Sequence, residues 1–285
     1  MYLERSHSLW RRIAATRALD VHFDLGLAAY DRRDVAELKK NRDALVLLPE
    51  GGAGSLEFMA LEWRMRWLQG AEAEALEIAQ RIVALFPEDP DGRLELAQIL
   101  NDLDRPGEAI DVLQAGVERS PEDADLWFEL GLASERCERW EARRNAFREV
   151  WRLEHGREPE HRLYLTDQQF VAVVEATLEK LPPHARSALG NVAIIVEDYP
   201  EEWIVMDDVA DPRILGLFDG PTQADTTRVS SVPAGPARIY LFRWNIERIA
   251  ANQDDAEHQI EITVLHEVGH FLGLDEDALQ VMGLG

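Results

Sequence analysis

The sequence predicts an α+β protein in which an all-α array of helical repeats, residues 1–157, precedes a small α+β domain, residues 158–285. Three observations support this. A pattern of apolar and small residues recurs every 34 residues in the first half. The recurrence stops at a charged stretch containing glycine and proline, near residues 155–159. Two apolar runs of strand length follow, so the second half has a different architecture.

The helical repeat is marked by Pro87-Glu88-Asp89, which returns as Pro121-Glu122-Asp123. Between the two prolines the apolar and small residues are Leu96, Ala97, Leu100, Ala109, Leu113 and Gly116. Small side chains at Ala97 and Ala109 let two antiparallel helices touch, and a proline ends the second helix. This pattern resembles the tetratricopeptide repeat family. The following copy is degenerate, because Arg143 stands where a small residue is usual.

Over residues 1 to about 155 we expect three to four helical hairpins. A single repeat cannot bury its own apolar face, so the hairpins must stack into a curved array. In many arrays of this kind the concave face binds a peptide, which makes a protein or peptide partner the expectation here. A stacked scaffold that binds no ligand is the alternative.

The net charge of −24 bears on the partners of the protein. An acidic surface repels phosphate groups, so nucleic acid and anionic membranes are poor partners. Basic peptides are one alternative, and a surface that serves only solubility is the other. The single cysteine rules out an internal disulfide framework and suits a reducing compartment. No stretch has the length and composition of a signal peptide or a membrane span, so the sequence predicts a cytoplasmic protein.

The second domain shows an alternation of helical and strand patterns. The predicted elements are a helix at 166–181, a strand at 192–196, an irregular stretch with the character of a flap at 200–236, a strand at 238–243, a short helix at 245–251 and a long helix at 256–271. A glycine, Gly273, ends the long helix. A mixed α+β domain follows from this order.

The long helix carries the segment His266-Glu267-Val268-Gly269-His270. The two histidines are four positions apart, so on a helix they lie on one face and can both direct a ring nitrogen at one ion. In the H-E-x-x-H arrangement two imidazoles hold zinc, and the glutamate takes a proton from a water that the metal activates. The candidate ligands are therefore His266 and His270, and the candidate catalytic base is Glu267.

A hydrolytic zinc site needs a third protein ligand. Gly273 tolerates a positive φ, so the chain can turn sharply after the helix and bring Glu276 back to the metal. Glu276 is the candidate, and its neighbours Asp275 and Asp277 remain open alternatives. Two other histidines, His184 and His258, lie outside the motif, where single histidines are more often capping or exposed residues.

With these residues the second half resembles a bacterial family of small zincin-like domains described as zinc metallopeptidases. The resemblance covers about 120 residues through the segments 191–198, 214–220, 239–243 and 266–277. Family members end the pattern more often with aspartate, so Glu276 differs in length and keeps the charge. The resemblance implies Zn²⁺ as cofactor, peptide hydrolysis as activity, and a sheet strand beside the active helix that pairs with an extended substrate. The strand at 238–242 is the expected edge. The alternative function is an adaptor whose zincin-like domain is structural or inactive.

Overall fold

The computed structural model describes residues 18–48, 51–159, 163–206, 211–222 and 236–284. The chain divides into two compact units, Met1–Ala146 and Phe147–Gly285. The domain boundary that composition places at residue 157 stays a prediction. The two units are described separately.

The first unit is helical throughout its described residues apart from short connections. Its helices are α1 (helical over 18–31), α2 (Val35–Val46), α3 (Leu56–Leu68), α4 (Glu72–Leu85), α5 (Pro90–Asp102), α6 (Pro106–Arg119), α7 (Ala124–Arg136) and α8 (Trp140–Glu154), the last of which runs on into the second unit. Short polar side chains cap four of them by accepting a backbone N–H of the first turn, at Asp34, Ser55, Asp89 and Asp123.

Small residues allow consecutive helices of this unit to pack closely. Ala97 of α5 and Ala109 of α6 are fully buried and belong to one hydrophobic core with Leu113 and Leu126. The helical-repeat architecture predicted from the sequence is confirmed. At the degenerate position, Arg143 makes an ion pair with Glu135, with Nε and Oε1 3.2 Å apart. This ion pair accommodates the guanidinium group at a position where a small residue is usual.

The second unit combines helices with a three-stranded sheet. Its elements are α9 (Asp167–Lys180), α10 (Pro183–Ala188), β1 (Ala193–Glu197), α11 (Glu202–Met206), β2 (Gly216–Asp219), β3 (Arg238–Phe242), α12 (Arg243–Arg248), α13 (Gln253–Leu272) and α14 (Glu276–Val281). The strand order is β1-β3-β2, with β1 parallel and β2 antiparallel to β3. The predicted α+β class is confirmed.

The segment 200–236, predicted to be irregular, contains two regular elements. The helix α11 and the strand β2 both lie within it, whereas 207–210 and 223–235 fall outside the described residues. The strand β2 is only four residues long and begins with Gly216, a residue that is depleted in strands, so periodicity alone does not reveal it.

The prediction that the strand at 238–242 forms the substrate-binding edge is wrong. This strand, β3, lies in the centre of the sheet with a neighbour on each side, and its Ile239, Leu241 and Phe242 are at most 1% exposed. A strongly apolar strand is favoured at the centre because both of its faces are covered. Among the described strands, the outer strand that packs against α13 is β2.

The helix α13 begins three residues earlier than predicted, after the N-cap Asn252, whose side chain accepts the N–H of Asp255 at 3.1 Å. Its buried face includes Ile260, Val264 and Val268. The helix ends at Gly273, which has φ 92°, as predicted. No helix among the described residues combines the length and apolar composition that crossing a lipid bilayer requires.

Candidate metal centre

The two histidines of α13 direct their ring nitrogens at each other. The Nε2 atoms of His266 and His270 are 2.9 Å apart, and the two ring planes are inclined by 80°. Both side chains are about one quarter exposed. One turn of helix therefore brings two nitrogen donors to one point at the surface of the domain.

Backbone carbonyls occupy the other nitrogen of each ring. His266 Nδ1 lies 2.7 Å from the carbonyl oxygen of Leu284, and His270 Nδ1 lies 3.2 Å from that of Leu274. A carbonyl oxygen can only accept, so each Nδ1 carries the hydrogen and donates it. With hydrogen on both Nδ1 atoms, the two Nε2 lone pairs face each other, an arrangement that a positive charge between them stabilises. A proton or a divalent metal ion supplies such a charge.

The carboxylate of Glu276 completes this group of donors. Its Oε1 lies 3.1 Å from Nε2 of His270 and its Oε2 lies 3.9 Å from Nε2 of His266. The ligand atoms of the three residues all lie within 4.8 Å of one another. Zinc bonds of about 2.0–2.1 Å at tetrahedral angles place neighbouring donors about 3.3 Å apart. Two imidazoles and one carboxylate at these separations fit a zinc ion with one position left for solvent.

The alternatives for the third donor have other roles or positions. Asp275 is the N-cap of α14, and its Oδ1 accepts the N–H of Ala278 at 2.9 Å. Among the described residues, Asp277, His184 and His258 belong to no group of three or more donors close enough to share an ion. The geometry thus brings together His266, His270 and Glu276, and their role as ligands remains a prediction.

Glu267 is buried beneath the outer strand of the sheet. Its side chain is 5% exposed and packs on the backbone of Gly216, where a Cβ atom would lie 2.8 Å from both Cγ and Oε1 of Glu267. The backbone N–H of Phe218 donates to its carboxylate. Burial raises the pKa of Glu267 to about 7, against smaller lowering effects from His266 and from the Phe218 N–H. A carboxyl with this pKa can both take up and release a proton near neutrality.

The helix α14 packs tightly on α13 at Gly269. A Cβ atom on Gly269 would lie 2.4 Å from Cδ2 of Leu279, which is fully buried. A glycine inside a helix is a signal for such a close approach, and here it is α14 that approaches. The contact fixes α14, and therefore Glu276 at its first turn, against the histidine-bearing helix.

A cleft of about 970 Å³ runs between β2 and α13 and contains the donor group. Along α13 it extends from Gln259 to His270, which is about 16 Å at the helical rise and about five residues of extended peptide. Its described lining is largely apolar and includes Ile214, Leu217, Phe218, Ile249, Ile262, Leu274 and Leu284. Since Leu215 O accepts from Phe242 N, the alternation of an antiparallel pair turns the backbone groups of Gly216 and Phe218 away from β3.

Four residues of this site were not identified from the sequence. They are Gly216 and Phe218, which contact Glu267, and Leu274 and Leu284, whose carbonyls contact the histidines. A glycine within the apolar run 214–218 is a signal for close backbone approach and could have indicated Gly216. The other three act through backbone atoms, which any residue type supplies.

Two segments of the chain match known families. Residues 189–284 match the family described as zincin-like metallopeptidase, and residues 66–130 match the tetratricopeptide repeat family. Both resemblances noted in the sequence are therefore confirmed. The first match contains the cleft and the donor group, and the second lies within the helical unit.

Individual relatives match this chain only in part. A stretch of 130 residues is 33% identical to Protein FlbA of Caulobacter vibrioides, and it covers 45% of this chain and 19% of that protein. The chain therefore spans about a fifth of the length of that relative. The crystal structure of MamA is similar at 17% identity and a TM-score of 0.39, over 48% of this chain and 78% of that chain. MamA from Desulfovibrio magneticus RS-1 gives 18% identity, a TM-score of 0.38, and 48% and 76% coverage.

Proposed function

We propose that this chain, whose carboxy-terminal third matches the zincin-like metallopeptidase family, is a zinc-dependent peptidase that hydrolyses a peptide bond with a metal-activated water. The observation that carries the proposal is the convergence of His266 Nε2, His270 Nε2 and the Glu276 carboxylate in a cleft that also contains the buried Glu267. These three residues would hold the ion. Bound zinc would supply Lewis acidity, polarising the carbonyl and making water nucleophilic near neutral pH.

Glu267 is the proposed general base. Its ionised carboxylate takes one proton from the attacking water, whose oxygen bonds to the carbonyl carbon of the substrate. It then returns that proton to the nitrogen as the carbon–nitrogen bond breaks, so the amine leaves neutral and the carboxylate is restored. The donated N–H of Phe218 and the backbone of Gly216 hold the carboxylate in place during both transfers.

The strand β2 replaces β3 as the proposed edge for the substrate. Its residues Gly216 and Phe218 turn backbone groups away from β3, and both line the cleft. Because the Phe218 N–H is donated to Glu267, the groups proposed to pair with a peptide are the backbone of Gly216 and the carbonyl of Phe218. An extended peptide can add to such an edge by backbone hydrogen bonds while its alternate side chains enter the apolar lining. About five residues of peptide fit the length of the cleft along α13.

The helical repeats are proposed to recruit a protein or peptide partner. Tetratricopeptide repeats form stacked arrays with extended concave surfaces, and residues 66–130 match this family. Recruitment to one unit would raise the local concentration of a substrate at the other without any new contact in the cleft.

The direct test is zinc-dependent cleavage of an unfolded protein or of a peptide library by the purified chain. We expect cleavage products that need zinc and disappear with chelator. Tight zinc binding and peptide capture with no products would instead favour the second candidate, an adaptor with an inactive zincin-like domain. The presence of a tetratricopeptide match outside the zincin-like segment is the observation that favours this candidate.

A further inference from the structure

The segment 274–284, which we name the clasp, supplies three residues that approach the imidazole pair. The carbonyl oxygens of Leu274 and Leu284 lie 3.2 Å and 2.7 Å from the Nδ1 atoms of His270 and His266. Glu276, in the same segment, approaches both Nε2 atoms. The clasp therefore places an oxygen atom near both nitrogens of each ring.

The clasp is fastened to α13 by packing at its middle. Leu279 is fully buried against Gly269, and Leu284 N donates to Leu279 O at 2.9 Å. Gly283, with φ 75°, forms the turn that brings Leu284 back toward His266. A positive φ is the conformation that glycine adopts without strain, so this turn determines where the Leu284 carbonyl lies.

Given the metal centre proposed above, we propose that Leu284 and Leu274 are positioning residues whose carbonyls hold the histidines in the tautomer that binds metal. A neutral imidazole has one nitrogen with hydrogen and one with a lone pair, and the hydrogen bond of the first determines the second. Because a carbonyl only accepts, it keeps the hydrogen on Nδ1 and leaves the Nε2 lone pair for the ion. The clasp thus completes the metal site through backbone atoms as well as through Glu276.

The test measures zinc affinity by competition with a chelator, using the full chain. In Gly283→Val a β-branched side chain is forced to a positive φ, which displaces the Leu284 carbonyl. A second variant inserts one glycine between Gly283 and Leu284 and shifts the same carbonyl without straining the backbone. Loss of a group that accepts the hydrogen bond of a metal-binding histidine typically weakens metal binding about 10- to 100-fold, and we expect that range in both variants.

Two further substitutions test the role of the carbonyl. Leu284→Ala removes the side chain and keeps the carbonyl, so zinc affinity should fall less than in the insertion variant. Val281→Ala changes a clasp side chain that is 89% exposed and should have no effect. A loss of affinity in Leu284→Ala equal to that in the insertion variant would overturn the assignment to the carbonyl.

Nitrogen-15 correlation spectra of the imidazoles give a second readout. In the zinc-loaded chain we expect hydrogen on Nδ1 and metal on Nε2 for both histidines, and a loss of this signature at His266 in the insertion variant. Unchanged affinity and an unchanged spectrum in that variant, with zinc still bound, would overturn the inference alone. Failure of the unmodified chain to bind zinc would overturn the metal centre as well. If the unmodified chain binds zinc but cleaves no peptide, and the insertion variant binds zinc more weakly, the role of the clasp stands and the peptidase function is overturned.

Discussion

Glu267 fits beneath the sheet only because position 216 has no side chain. A Cβ atom on Gly216 would lie 2.8 Å from Cγ and Oε1 of Glu267 and 3.0 Å from Cγ2 of Thr263. The two distances to Glu267 are shorter than Cβ contacts in proteins, and the distance to Thr263 is tighter than most, so the edge strand and the candidate base are matched in shape. The following predictions concern this pair, the metal donors and the packing that holds them.

Gly216→Ala should impair peptide hydrolysis while zinc stays bound. The added methyl group pushes Glu267 from its position and from the N–H of Phe218, and a displacement of about 1 Å can lower turnover about 100-fold. Turnover and zinc content are measured on the same preparation. Gly190→Ala is the matched control, because a Cβ atom there meets nothing within 4 Å. Equal turnover in the two variants would contradict the role of Gly216.

Glu267→Gln should lower turnover by about 100-fold or more without weakening zinc binding. The amide has nearly the shape of the carboxylate and cannot accept a proton from water, and general-base catalysis contributes about 10²–10⁴-fold. Steady-state cleavage of a peptide and chelator competition are the two measurements. Glu261→Gln, on the same helix and paired with Lys180 at 2.5 Å, is the control. Turnover that survives in Glu267→Gln shows that another group is the base.

Glu276→Ala should weaken zinc binding by at least about 10-fold, because it removes one of three donors. Asp277→Ala removes the same charge from the next position and should leave the affinity unchanged. Equilibrium competition with a chelator measures the zinc affinity of both variants and distinguishes coordination by Glu276 from an effect of local charge. If the two substitutions have equal effects, the local negative charge and not coordination by Glu276 accounts for binding.

The metal-free protein should lose stability as the pH rises through neutrality. The pKa of Glu267 is raised to about 7 in the fold, so its protonated form is the favoured one there. The contribution of protonated Glu267 to the free energy of unfolding is complete below the ordinary pKa of 4.5 and is lost as the pH rises through the folded-state pKa of about 7. Between pH 5 and pH 8 the free energy of unfolding should therefore fall by about 2–3 kcal/mol.

Urea denaturation in the presence of chelator, at both pH values, measures this loss. Glu267→Gln cannot titrate at this position, so its free energy of unfolding should change less between the two pH values than that of the unmodified chain. The same pH dependence in both proteins would refute the assignment of the effect to Glu267.

Gly269→Ala should destabilise the protein although alanine favours helix by about 1 kcal/mol. The new Cβ atom would lie 2.4 Å from Cδ2 of the buried Leu279, and overpacking costs about 1–3 kcal/mol. Zinc affinity should fall as well, because Leu279 and Glu276 belong to the same short helix. In a double-mutant cycle with Leu279→Ala, with stability measured by thermal unfolding, the double variant should be less destabilised than the sum of the two single variants. Additive effects would mean that the contact is not the cause.

The elements with strong local signals were predictable from the sequence. The 34-residue recurrence identified the helical repeats because each copy repeats the same pattern of small and apolar contacts. The spacing of His266 and His270 fixed both on one helical face, and Gly273 marked the end of that helix, since each feature depends on residues near in sequence. The candidate donors and base were accessible for the same reason.

The tertiary structure decided the features that depend on residues distant in sequence. The position of β3 at the centre of the sheet, and of β2 at the side of α13, follows from strand order, which no local pattern encodes. The raised pKa of Glu267 arises from burial beneath Gly216, some 50 residues away in the chain. The carbonyls of Leu274 and Leu284 contact the histidines through backbone atoms that every residue possesses, so side-chain identity does not reveal them and folding alone places them.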